Sequence, residues 1–99
     1  ARLEQSLKAD LATAYNMYLN KLTLQVMEEE NLETAKDYLD IAMERYKLGA
    51  LSGIELREAQ KSLLDAEESL LTVSYQAKLA EISLMLISGR VLEYIEQNN

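Results

Sequence analysis

The apolar positions in the second half of the chain keep one register. Leu56, Ala59, Leu63, Ala66, Leu70, Val73, Ala77, Ala80, Leu84 and Ile87 alternate steps of three and four without a miss. A sustained 3.5-residue period predicts an α-helix that supercoils left-handedly against a partner helix. Earlier in the chain, Leu32, Ala35, Leu39, Ala42 and Tyr46 keep the same rhythm. Alternating Leu with Ala lets two helix backbones approach closely. Residues 2–48 contain no Gly and no Pro, and 53–88 contain no Pro and have Gly only at their first position. Two long helices are predicted, over about 2–48 and about 53–88, with a C-terminal tail over 89–99.

The break between them has its own grammar. Gly49 can take the left-handed conformation that ends a helix, at no Cβ cost. Ser52 and Glu55 have the spacing of a capping box, in which the hydroxyl accepts from the Glu55 N–H and the carboxylate reaches back. Leu51 before the cap and Leu56 after it fit a hydrophobic staple. A tight turn over 49–52 follows, and the arms would be roughly 70 Å and roughly 50 Å long at helical rise. The fold class is all-α, a long antiparallel coiled-coil helical hairpin, read as one fragment over 1–99.

A second apolar stripe complicates this picture. Leu64, Leu71, Tyr75, Leu79, Ile82 and Leu86 lie about 100° around the helix from the first seam. Tyr38, Ile41 and Leu48 do the same on the first arm. A two-helix hairpin has one mutual seam and cannot bury two stripes on each arm. Each helix is therefore expected to have neighbours on both sides. A larger bundle, a closed ring of helices and a four-helix bundle made by dimerisation all satisfy that requirement.

Composition narrows the function class. Ala, Glu, Lys, Leu and Arg make up 53 of the 99 residues, as in long helices and coiled coils. The formal net charge is −7, which argues against nucleic acid or an anionic membrane surface as partner. There is no Cys and no His, so thiolate chemistry is excluded and the commonest general base and metal ligand is missing. No enzyme activity, cofactor or metal site is expected. The chain starts Ala1-Arg2-Leu3 with a helical pattern already running, and the apolar run from Ile82 to Ile87 is short. The expectation is a soluble excerpt of a larger protein.

Charged residues mostly fill the remaining faces. Glu4 with Lys8 and Glu58 with Lys61 have helical spacing for weak ion pairs. Glu28, Glu29 and Glu30 point in different directions on a helix and cannot chelate together, so they read as a solvated face.

Several stretches resemble the TolC family of outer-membrane efflux proteins: Glu29-Glu30-Asn31-Leu32, residues 42–52 (AMERYKLGALS) and 55–60 (ELREAQ). So do Ala66-Glu67-Glu68-Ser69-Leu70, residues 75–81 and residues 84–89. The resemblance covers nearly the whole chain, and it rests on the order and spacing of these stretches together. It implies a segment of a trimeric channel with a membrane β-barrel and a long periplasmic α-barrel, near the C-terminus of the parent. It also implies a periplasmic adaptor protein, an inner-membrane transporter and further copies of the channel protein as partners, in the outer membrane of a Gram-negative bacterium. A ring of helices would also answer the two-stripe problem.

The resemblance carries roles for residues near the turn. Gly49, Ala50, Leu51 and Ser52 match the hairpin tip that docks the adaptor. Tyr46, Glu55 and Glu58 match positions that narrow the periplasmic entrance, where carboxylate rings would favour cations. Glu55 also has its capping role, and Glu58 also reads as a plain solvated residue. Leu51 stands where the best-known member has an arginine that links the entrance helices, which puts that linkage in doubt here. Two alternatives remain open: a purely structural coiled-coil protein, and the hairpin of a periplasmic adaptor. Against the adaptor, Arg45 and Ser52 are only seven residues apart, and no lipoyl-like β segment follows.

Overall fold

A computed structural model describes residues 2–98. It consists of two helices, α1 (Arg2–Lys47) and α2 (Gly53–Gln97). They hold 46 and 45 residues, and among the described residues there is no strand. The protein is an all-α helical hairpin.

α2 runs further than its sequence predicts. The helix does not stop at 88 but continues through Gly89 to Gln97, so most of the expected tail is helical. A single Gly costs a helix interior about 1 kcal/mol. Seam packing on both sides outweighs that cost. Val91 and Tyr94 extend the three-four rhythm from Ile87 and are both partly buried.

The chain divides into two compact units. The first spans Gln25–Val73 and includes the turn. Its two helical segments run antiparallel and pack through the expected seam. Ala42 and Ala59 are the buried residues at its centre, with 2% and 0% of their surfaces exposed. Leu32, Ala35 and Leu39 on α1, and Leu56, Leu63, Ala66, Leu70 and Val73 on α2, are partly buried along the same seam. Buried alanines with partly buried leucines around them fit the Leu/Ala alternation of the sequence.

The second unit combines the chain up to Leu24 with the chain from Ser74 onward. Ala14 and Ala77 are its buried centre. Leu7, Leu11 and Tyr18 on α1, and Ala80, Leu84 and Ile87 on α2, are partly buried around them. Lys21 also takes a seam position here, and its Nζ donates to Gln76 Oε1 at 3.2 Å.

Exposed pairs decorate the surface without deciding the fold. Lys8 Nζ meets Glu4 Oε1 at 3.1 Å, and the hydrogen bond and charge of Lys8 hold the Glu4 carboxyl below its ordinary range. Lys78 pairs with Glu81 and Lys36 with Glu33. The Glu58–Lys61 pair expected from spacing is absent among the described residues. Exposed pairs of this kind contribute little to stability.

Candidate functional site

The turn closes its own backbone groups. Gly49 has φ +75°, the left-handed conformation its sequence position predicts. Its N–H donates to the Tyr46 carbonyl at 3.0 Å, and the Ala50 N–H donates to the Arg45 carbonyl at 2.8 Å. Those two bonds are the Schellman closure of a helix C-terminus. Across the turn, the Glu55 N–H donates to Ser52 Oγ at 3.2 Å, and the Leu56 N–H donates to the Ser52 carbonyl at 3.1 Å. Ser52 is therefore the N-cap of α2. The reciprocal half of the capping box, from the Ser52 N–H to the Glu55 carboxylate, is not formed among the described residues, which leaves that carboxylate in solvent. Leu51 and Leu56 are both partly buried, as a staple requires.

Charge at the turn follows the helix ends. Arg45 and Lys47 lie in the last turn of α1, and Glu55 lies in the first turn of α2. Each sign complements the partial charge of its helix terminus.

Closure of the backbone leaves the side chains of the tip facing outward. Leu48 is 84% exposed and Ile54 is 71% exposed. They flank Gly49 to Ser52, so the tip presents apolar surface around a compact turn. Leu48 was expected on the second stripe. Ile54 is a tip residue that the sequence pattern does not flag, because one apolar residue inside a first helical turn carries no periodic signal.

Tyr46, Glu55 and Glu58 are all exposed. Tyr46 keeps the seam rhythm, yet it is 48% exposed. The first seam residue of α2 is Leu56, and at the turn end of α1 the opposing helix is only beginning. Glu55 and Glu58 stand three residues apart at the start of α2. The turn ties Gly49 to Tyr46 in one closure and Glu55 to Ser52 in another, four positions of the tip held by two separate sets of bonds. Glu58 takes part in neither.

The second stripe is exposed in both units. In the unit with the turn, Tyr38, Ile41, Leu48, Leu64 and Leu71 are open to solvent. In the other unit, Tyr75, Leu79, Ile82 and Leu86 are open, and the longer α2 adds Leu92 and Ile95. The lengthened helix thus enlarges a surface that the sequence pattern traces only as far as Leu86. By length and composition alone, α2 is apolar enough to cross a membrane, with an 18-residue window of mean hydropathy 1.3. Seam and second stripe together account for that value.

The sequence profile of the outer membrane efflux protein family matches residues 2–90. No curated protein and no solved structure matches the chain.

Proposed function

We propose that this chain, which belongs to the outer membrane efflux protein family, forms part of the channel's periplasmic α-barrel and docks an adaptor through its tip. The family is one of outer-membrane efflux channels, and the chain is a component of such a channel. Transport through it is passive, in a tunnel opened when the adaptor and an inner-membrane pump engage the tip. No side chain performs covalent chemistry. The second stripe, apart from Leu48 at the tip, lies against neighbouring hairpins of a trimeric ring, which removes its apolar surface from water. Glu55 and Glu58, repeated around the ring, favour cations at the entrance, and Tyr46 narrows it.

The observation that carries the docking role is the tip itself. Its backbone groups are satisfied within the turn, yet Leu48 and Ile54 project apolar side chains into solvent. A turn that served only as a connector would gain nothing from two exposed aliphatic residues. The test is a Leu48→Glu, Ile54→Glu double variant in the full-length channel. Adaptor crosslinking and efflux should both fail while channel abundance in the outer membrane stays normal. Normal crosslinking and efflux would overturn the docking role.

A further inference from the structure

One stretch of α1 is patterned inside out. The α1 seam advances by alternating steps of four and three through Leu11, Ala14 and Tyr18, and resumes at Leu32, Ala35 and Leu39. Between them the same steps land on Lys21, Gln25 and Glu28, and all three are partly buried. Over the same stretch Leu24, Val26 and Met27 are 39%, 53% and 52% exposed. Polar residues thus take the seam for three successive positions while Leu24, Val26 and Met27 face solvent, and of the apolar residues in this stretch Leu22 alone is partly buried. The boundary between the two compact units on α1 falls between Leu24 and Gln25, within this stretch.

The polar positions are accommodated rather than faulty. Lys21 donates to Gln76, and no buried side-chain polar atom among the described residues lacks a partner. A satisfied hydrogen bond replaces one already made with water, whereas a buried leucine gains its transfer free energy outright. A polar residue at a coiled-coil core position therefore lowers stability while restricting pairing. Local stability follows buried apolar contact, and segments poor in it open first.

We propose that residues 21–28 of α1 are a soft segment of the hairpin. This stretch opens locally at lower free energy than the seam on either side, so the hairpin yields there without releasing its turn. It is a conformational device set by the seam residues, and it does not depend on the docking role of the tip.

The test is peptide-resolved hydrogen exchange on the full chain in its assembled form. Amides within 21–28 should exchange at least about tenfold faster than those of 11–18 and 32–39 in the same helix. Replacing all three seam positions, in a Lys21→Leu, Gln25→Leu, Glu28→Leu variant, should bring 21–28 to the rate of its flanks. Should that variant aggregate, Glu28→Leu alone should slow exchange at 21–28 and leave 32–39 unchanged. Equal protection of 21–28 and its flanks in the unmodified chain would overturn the proposal. So would exchange at 21–28 that neither the triple nor the single variant slows.

Discussion

The Ala50 N–H reaches back five residues to the Arg45 carbonyl at 2.8 Å. That bond closes the end of α1 and can form only if Gly49 is left-handed, as it is at φ +75°. Two residues later, Ser52 opens α2 by accepting from the Glu55 N–H. One helix is therefore stopped and the next started within five residues, and each event depends on a different side-chain property. Changes at the turn should separate accordingly.

Ser52→Ala removes the acceptor for the Glu55 N–H and should destabilise the hairpin by about 0.5–1 kcal/mol, toward the lower end of N-cap effects because the site is exposed. Ser52→Asp restores an acceptor and adds negative charge at a helix N-terminus, so it should recover that loss. Thermal unfolding of both variants checks this, and Asp behaving like Ala would contradict the cap assignment.

Leu63 and Leu64 are adjacent and should respond in opposite ways. Leu63 belongs to the seam and is partly buried, whereas Leu64 is 64% exposed on the second stripe. Leu63→Ala should lower hairpin stability by about 2 kcal/mol or more. Leu64→Ala should leave the hairpin close to its original stability and weaken assembly instead. Denaturation measured beside trimer abundance in the full-length channel distinguishes the two. Loss of hairpin stability in Leu64→Ala would mean that the second stripe is part of the seam.

Ala59 is fully buried in the seam between the two helices. Ala59→Leu should overpack that contact and cost about 1–3 kcal/mol. At this chain length each kcal/mol lowers Tm by about 4–8 °C. An unchanged Tm would show that the helices can separate at this point without penalty.

The exposed second stripe predicts association of the chain on its own. Leu71, Leu86 and Leu92 are 72%, 65% and 61% exposed, which is unusual for a monomer when such residues form a continuous face. Sedimentation equilibrium at high micromolar concentration should show oligomers. A folded monomer under those conditions would contradict the assignment of the stripe to neighbouring helices.

Most of the hairpin is legible in the chain because a sustained 3.5-residue rhythm specifies a long helix with one packed seam. Every residue of the α2 seam from Leu56 to Ile87 is buried or partly buried. The turn is legible because Gly49, Ser52 and Glu55 each satisfy a separate stereochemical requirement at the right spacing. Three features escape a reading of that kind. Lys21, Gln25 and Glu28 occupy the α1 seam, but polar residues carry no hydrophobic signal, so the rhythm breaks between Tyr18 and Leu32. Gly89 suggests an end to α2, although Val91 and Tyr94 continue the seam and hold the helix together past it. Leu48 and Ile54 stand out only once the turn has closed, because their exposure depends on chain geometry rather than on period.

Gly49 joins the turn to the proposed docking surface, and its replacement should reveal both roles. A Cβ built there meets nothing within 4 Å, so the cost of a side chain comes from the left-handed backbone and not from crowding. Gly49→Ala should cost about 1 kcal/mol, Gly49→Asn less because Asn tolerates this conformation, and the β-branched Gly49→Val more. A deficit of this size in one turn leaves a long seam able to hold the hairpin, so the assembled channel should still reach the outer membrane. The added side chain would nevertheless project from the proposed docking surface. Gly49→Val should therefore abolish efflux at normal trimer abundance, while Gly49→Asn should have a weaker effect on stability. Drug susceptibility and trimer abundance, measured together for both variants, decide the matter. If Gly49→Val pumps normally at normal abundance, the tip is a connector, and the exposed Leu48 and Ile54 require another explanation.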